Sequence, residues 1–456
     1  MLPELFLSRM RMLLGEEYDA FLSELSKDAV RALRVNNSKT TPEIVQKALA
    51  CELQPISYAT DGFIFELDKI GRHPLHHAGA FYIQDPGAMA TLHALPIKKG
   101  WRVADFCAAP GGKSSQLSAY VGETGFLLSN EINHARCKVL AGNLERLGCR
   151  NTLVTNTDAE TLASWFDSFF DLVLVDAPCS GEGMFRKYEH ATTEWSQENV
   201  LSCAARQKEI LDHAAKTVAC GGYLLYSTCT YSQEENEMCV DAFLATHEDF
   251  SVCDVLPALK TQTSSGVPFD GATHPEALLL TRRFYPHFSK GEGQFIALLK
   301  KDSDNGRMSS VRYKDASERL GREELRVVEL FLDDVLGKGS YSEKDIVKYK
   351  DTIVFRPSIP IPSYGVYMPG VAIGTVLKGR LEPHHQFFSA MGHRFVRRLM
   401  LTSEDERVER YLRGETLPCD LPNGYASVLV DGCALGGVKV TQGVAKNHYP
   451  KGLRNH

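Results

Sequence analysis

The chain has 456 residues, 43% of them hydrophobic and 24% charged, and its formal net charge is −6. A length of that order suggests about three domains, and the composition is that of folded cores rather than disordered segments. The acidic balance argues against a non-specific nucleic-acid coat, so contacts with nucleic acid are to be sought in local basic patches.

The N-terminus, "MLPELFLSRMRMLLGEEYDAF", mixes apolar and charged residues and lacks the apolar core and cleavage site of a signal peptide. No apolar run reaches the ~18 residues expected of a membrane span. Twelve cysteines are scattered along the chain without a Cys-x-x-Cys pair. That pattern reads as reduced thiols in a cytoplasmic protein, with no zinc or iron–sulfur site.

Residues 1–96 read as helices and a short sheet. Leu5, Leu7, Met10, Met12 and Leu13 give an amphipathic first helix, and "FIFEL" (63–67) a strand. From 97 to 302 strands and helices alternate. Strands are expected at "WRVADFCA" (101–108), "FLLSNE" (126–131), "TLVTNTD" (152–158), "DLVLVDAP" (171–178), "GGYLLYSTCT" (221–230) and "GQFIALLK" (293–300). Helices are expected at 134–148, stopped by Gly148, and at 204–219, stopped by Gly221 and Gly222. Apolar strands alternating with helices predict a doubly wound α/β, Rossmann-like domain whose parallel sheet is covered on both faces. A polar linker is expected at 301–322 and a Pro- and Gly-rich segment at 351–385. An intermediate region is therefore drawn at 303–386 and a compact C-terminal piece at 387–456.

Open parallel sheets bind ligands at the carboxyl ends of their strands. Asp105 and Cys107, Glu131, Asp158, Asp176 and Cys179, and Cys229 all fall on that one edge. In "DFCAAPGGKSS" (105–115) a strand turns into a helix through Gly111 and Gly112. Those glycines permit positive φ and close approach of a ligand to a helix N-terminus. The spacing is neither G-x-G-x-x-G nor a P-loop. Glu131 is placed to accept hydrogen bonds from both ribose hydroxyls of a nucleoside, and Asp158 to hold an adenine amino group. A nucleoside with an amino-acid tail, S-adenosyl-L-methionine, fits this set better than a pyrophosphate does.

Cys179 and Cys229 end adjacent strands. A thiolate beside a methyl sulfonium suits methylation of cytosine carbon-5, a carbon too weakly nucleophilic to take a methyl group unaided. Addition of the thiolate at carbon-6 makes carbon-5 enamine-like. A second cysteine can assist release, and Asp176 can hold the ring edge and donate a proton at N3. A helix starting near Ser232 to Glu235 would point its N-terminal dipole at Cys229. Free cysteine is otherwise a small buried hydrophobe. That reading applies to Cys51, Cys137, Cys149, Cys203, Cys220, Cys239, Cys253, Cys419 and Cys433, and Cys107 reads as a space-filler in the cofactor turn.

"CAAPGGK" (107–113), "DAPCSGEGMFRK" (176–187) and "STCTYSQEENE" (227–237) resemble the RNA cytosine-5 methyltransferases of the NOL1/NOP2/Sun family, and within it the bacterial RsmF-like group. The likeness extends to "LRVNNSK" (33–39), "YIQDPGAM" (82–89), "RRFYPHFSKGEGQF" (282–295) and "KNHYPKGLR" (446–454). The resemblance implies Cys229 as nucleophile and Cys179 as the residue that helps expel product. It implies Cys107, Ala108, Ala109, Pro110, Gly111, Gly112, Lys113, Glu131, Asp158 and Asp176 as the cofactor site. It also implies an α+β N-terminal domain that contacts RNA, a C-terminal PUA-like domain and ribosomal RNA of the small subunit as partner, with neither membrane nor metal.

Two further stretches read as RNA contacts. Arg282, Arg283, Lys290, Lys300 and Lys301 interleave with Phe284, Tyr285 and Phe288, and Arg186 and Lys187 follow the Pro-Cys motif. In the C-terminal piece Arg394, Arg397, Arg398, Lys439, Lys446, Lys451 and Arg454 form a mildly basic set. The target base must leave its stack to meet both thiolate and methyl group. The same chemistry on tRNA, and a non-catalytic ribosome-assembly factor, stand as alternatives.

Overall fold

The computed structural model describes residues 2–302 and 309–455. Residues 303–308 of the expected linker lie outside the described residues. The first helix, Glu4–Leu14, turns inward with Phe6 and Met10, while Leu5 is 50% and Met12 78% exposed. The inward stripe is thus offset from the expected one, because the helix packs on aromatics of the α/β domain. Phe6, Met10 and, from the helix Tyr18–Leu25, Phe21 cluster with Phe185, Tyr231 and Tyr285. Behind these helices β1 (Ala32–Val35), β2 (Gln54–Ile56), β3 (Ala59–Ile64) and β4 (Phe81–Ile83) form an antiparallel sheet in the order β2-β3-β1-β4.

The central sheet is built from β5 (Arg102–Asp105), β6 (Phe126–Asn130), β7 (Thr152–Thr155), β9 (Phe170–Asp176) and β10 (Val218–Thr228), while the two-residue β8 (Phe166–Asp167) lies outside it. It continues with β11 (Phe250–Cys253), β12 (Ser264–Ser265), β13 (Arg282–Phe284) and β14 (Gln294–Lys301). Five parallel strands run in the order β7-β6-β5-β9-β10, followed by antiparallel β14. The sheet is therefore mixed, with the Rossmann-like parallel part at its centre. The chain reverses direction between β5 and β9, which makes their carboxyl ends the switch point where such folds bind ligands. Apolar clusters cover both faces.

Helix ends depart from the expected ones for local reasons. The long helix starts at Gln197, capped by Ser196 Oγ, and ends at Thr217. Gly221 and Gly222 lie instead in a register shift inside β10.

Beyond the central sheet, β15 (Ser310–Val311) pairs with β8. Next come β16 (Ile346–Tyr349), β17 (Thr352–Phe355), β18 (Val366–Met368), β19 (Val371–Leu377) and β20 (Arg380–Pro383). β18 adds to the central sheet as an antiparallel edge on β7, covering hydrogen-bonding groups that would otherwise be open. The last sheet holds β21 (Arg398–Leu401), β22 (Leu417–Pro418), β23 (Gly424–Val430), β24 (Cys433–Thr441) and β25 (Val444–Asn447). Its apolar face shares one core with the N-terminal sheet, Leu33, Val35 and Phe81 clustering with Val428, Val438 and Tyr449. Lys39 pins this junction: its Nζ donates to the carbonyls of Ala78 (2.9 Å) and Arg146 (3.0 Å), and burial lowers its pKa to about 8.

Candidate active site

β5 ends at Asp105, and the turn that follows reaches the helix Gly112–Val121. Gly111 has φ +107°, which favours glycine, and a Cβ there would also crowd Leu140 Cδ1 at 3.1 Å. Gly112 is already helical. Its small size matters because a Cβ would lie 3.0 Å from the Tyr82 ring of β4. Asp105 Oδ2 accepts a hydrogen bond from Ser114 Oγ at 2.7 Å, whereas its buried Oδ1 has no partner among the described residues. Burial, opposed by the Ser114 bond and reinforced by the charge of Asp176, pushes the Asp105 carboxyl up to about 7.

Glu131 follows β6, 3% exposed, with Oε1 accepting from Asn133 N at 2.9 Å and Oε2 3.4 Å from Arg136. Ile132, next to it, is 69% exposed. Asp158 lies beyond the end of β7 and caps the helix Ala159–Trp165, its Oδ1 accepting from Thr161 N at 2.7 Å. That backbone bond holds its carboxyl below the usual range. Cys107 is half-buried, its thiol pushed up by burial first and by Asp105 and Glu131 next.

β9 and β10 pair in parallel with Ser227 opposite Asp176, and Ser227 Oγ donates to Asp176 Oδ1 at 2.7 Å. Lys113 Nζ donates to Asp176 Oδ2 at 2.8 Å, joining the turn after β5 to the β9 end. Burial disfavours the Lys113 charge, but Asp176 and then Cys229 outweigh it and hold its pKa above the ordinary value. One turn beyond the paired strands, Cys179 Sγ and Cys229 Sγ stand 3.2 Å apart, both half-buried. The hydrogen bond with Cys229, burial and the Glu235 charge all raise the Cys179 pKa. Either sulfur can donate in this pair, and the raised Cys179 pKa favours the thiol form of that residue.

The acidic run after Cys229 behaves differently from the expected helix start. The helix begins only at Glu237, and residues 233–236 form a turn. Glu235 is buried behind the cysteines, accepting from Ser180 N (2.9 Å), Ser180 Oγ (2.5 Å) and Gln207 Nε2 (3.0 Å). Burial pushes its carboxyl up to about 7. Asn236 bridges the T-C-T loop, accepting from Thr228 Oγ1 at 2.6 Å and donating to Thr230 O at 3.0 Å. Glu234 and Glu237 pair with Arg9 and Arg283.

Two expected RNA contacts are corrected. Arg283 is 1% exposed on the Glu237 carboxylate, Arg282 is 4% exposed on Thr263, and Lys301 is buried against the carbonyls of Ala215 and Val218. Phe284 and Tyr285 are core residues, leaving Phe288, Lys290 and Lys300 outside. Arg186 is buried against Glu292 at 2.9 Å, and Lys187 reaches Asp85 at 2.7 Å. Arg186 thus braces the loop after the Pro-Cys motif, while Lys187, 23% exposed, holds Asp85 at the edge of a cleft. In the C-terminal module Arg394 pairs with Glu123, Arg397 with Asp334, and Arg454 donates to Tyr449 O, while Arg398, Lys446 and Lys451 are exposed.

Asp105 was expected at the ligand-binding edge but not in the cofactor set, and Ile132, Glu235 and Asn236, which adjoin the same strand ends, were not expected. Asp105 and Ile132 had a signal, an acid and an aliphatic side chain at strand ends. Glu235 and Asn236 had none, because their partners lie in other elements.

A family model described as 16S rRNA methyltransferase RsmB/F matches residues 92–300. Models for the N-terminal domain of 16S rRNA methyltransferase RsmF and for the methyltransferase RsmF PUA domain match residues 2–86 and 399–455. The ribosomal RNA small subunit methyltransferase F of Salmonella typhi is 34% identical over 347 residues, covering 72% of this chain and 70% of its own. That of Vibrio vulnificus is 28% identical over 474 residues, covering 99% and 97%. A solved methyltransferase homolog from Pyrococcus horikoshii is 28% identical with a TM-score of 0.56, covering 66% of this chain and 95% of its own. No helix among the described residues is long and apolar enough to cross a membrane. With its sheet order, its strand-end site and these matches over its N-terminal, catalytic and PUA regions, the chain belongs to the RsmB/F family of 16S rRNA methyltransferases and is an RsmF-like methyltransferase.

Proposed function

We propose that the protein methylates carbon-5 of a cytidine in 16S ribosomal RNA, in the cytoplasm, through a covalent adduct between Cys229 and carbon-6. The observation that carries this reading is the 3.2 Å pair of thiols beside Asp176 at the switch point. S-adenosyl-L-methionine fits the residues present. The orphaned Asp105 Oδ1 suits an ammonium, Glu131 a ribose, the Ile132 side chain an adenine face, and the turn from Cys107 to Lys113, with Asp158 and Asp176, the rest of the boundary. When bound, it supplies an electrophilic methyl group.

The residues of the chain divide the remaining work. Lys113 and the Cys179 hydrogen bond stabilise negative charge on Cys229, which adds to carbon-6 of the flipped base. Asp176, held by Lys113 and Ser227, faces the ring edge; in its carboxyl form it gives its proton to N3 as the thiolate adds and takes it back when the sulfur leaves. The transfer to N3 neutralises the ring as carbon-5 becomes nucleophilic. Once carbon-5 carries the methyl group, a base removes its proton, the carbon-6–sulfur bond breaks and the thiolate leaves with the bonding pair. Cys179, beside that sulfur, assists the departure.

The test uses rRNA and tRNA from a strain lacking the gene, purified protein and tritiated S-adenosyl-L-methionine. Label recovered as 5-methylcytidine in 16S rRNA is the expected result. Label in tRNA alone would move the substrate, and no transfer to either would leave an RNA-binding assembly factor.

A further inference from the structure

A cleft of about 920 Å³ opens beside Asp105, Lys113 and Asp176 and runs outward between β4 of the N-terminal sheet and the loop after the Pro-Cys motif. Tyr82 and Gln84 line one wall and Tyr188 lines the other. Tyr82 lies over Gly112, with the Arg146 guanidinium 5.9 Å from its ring centroid, and Tyr188 is 52% exposed. Lys187 bridges the two walls through Asp85.

Gln84 is 8% exposed and held in a single orientation. Its Oε1 accepts from Arg34 Nε at 3.1 Å, and Arg34, itself 1% exposed, also donates to Ser115 Oγ at 2.7 Å. An arginine Nε–H can only donate, so the carboxamide oxygen must face Arg34. Nε2 therefore points away from Arg34 on a residue that lines the cleft, and it has no hydrogen-bond partner among the described residues. A buried amide fixed by a buried cation, with its donor end unspent next to two tyrosines, has the make-up of a site for one unstacked base.

We propose that this cleft receives the nucleotide adjoining the target cytidine and reads its base. The base packs against Tyr82 and Tyr188, and Gln84 Nε2 donates to a keto oxygen on its edge. The occupant is single-stranded RNA, because the cleft is lined at its inner end by Lys113 and Asp176, the residues that meet the flipped cytidine in the proposed reaction. Uracil and guanine offer that oxygen. Adenine, and the amino edge of cytosine, present a donor to a donor. The inference rests on the cytidine-methylation reading and adds a specificity residue to it.

The test uses 16S rRNA transcripts, free and reconstituted into 30S subunits, with each of the four bases placed on either side of the cytidine mapped by bisulfite sequencing. The readout is kcat/KM for 5-methylcytidine formation at that position. Wild-type protein is expected to favour uracil or guanine at one neighbour by about tenfold, the scale of one hydrogen bond lost to a mismatched donor. Gln84→Glu retains an oxygen for Arg34 and exchanges the free donor for an acceptor, so adenine and cytosine should become the preferred neighbours. Tyr188→Ala, at an exposed position, should raise KM without changing the ranking. Indifference of an active wild-type enzyme to both neighbours would overturn the subsite and leave the cytidine reading standing. So would an unchanged ranking in an active Gln84→Glu enzyme. Wild-type protein that forms no 5-methylcytidine in any transcript or subunit would overturn both.

Discussion

Cys179 Sγ lies 3.2 Å from Cys229 Sγ, although fifty residues separate the two along the chain. The pairing of β9 with β10 makes this possible, since the register that sets Ser227 against Asp176 carries both cysteines past the same strand ends. Removing either thiol should therefore have opposite chemical consequences. Cys229→Ala should lower methyl transfer by about 10³-fold or more and form no covalent complex. Cys179→Ala should form the complex and fail to release it, giving a protein–RNA band that survives denaturing electrophoresis. The reverse pattern would exchange their roles.

Asp105 predicts a pH dependence of cofactor affinity. Its carboxyl is pushed up to about 7 by burial, and its Oδ1 is unpartnered. An ammonium binds the ionised form, so below about 7 a proton must leave first. Affinity for S-adenosyl-L-methionine should rise with pH up to about 7, by at most about tenfold per pH unit. Isothermal titration calorimetry at several pH values would show this slope, and Asp105→Asn should bind more weakly and flatten it.

Glu235 makes a prediction about stability. Its folded pKa is raised from 4.5 to about 7, so between those values the folded state holds a proton that the unfolded state has lost. Stability contributed by this group is fully present below 4.5 and is lost as pH rises towards about 7, at most ~3 kcal/mol in all. Gln, which cannot ionise, should remove that component. Urea denaturation of wild type and Glu235→Gln across this range would check it by the difference in slope.

Arg186 is a structural cation. Its side chain is 4% exposed and pairs with a Glu292 side chain that is 0% exposed. Arg186→Ala leaves that carboxylate buried and alone, at a cost of about 3–5 kcal/mol. The melting temperature should fall sharply, and Arg186→Ala with Glu292→Gln should recover part of the loss. Arg398→Ala, at an exposed position, should leave the melting temperature unchanged.

The apolar strands and the acids and thiols at their ends were legible in the sequence because both are local properties. A run such as "DLVLVD" must be buried on both faces wherever it folds, and its polar terminus must come out at the sheet edge. The direction faced by charged residues was not legible in the same way. Arg283 and Arg186 resemble RNA contacts until Glu237 and Glu292, 46 and 106 residues away, are seen to meet them. Burying a cation is tolerable only beside such a partner, and linear spacing does not reveal which distant acid will arrive.

The order of strand and helix, the glycine turn and the strand-end cysteines followed from residue type and period alone. The 3.2 Å separation of the thiols, the orphaned oxygen of Asp105 and the fixed carboxamide of Gln84 came from the packing of separate elements. Periodicity tells a segment which face to hide. Only the register between segments, set by the whole core closing at once, decides which side chains end up within bonding distance.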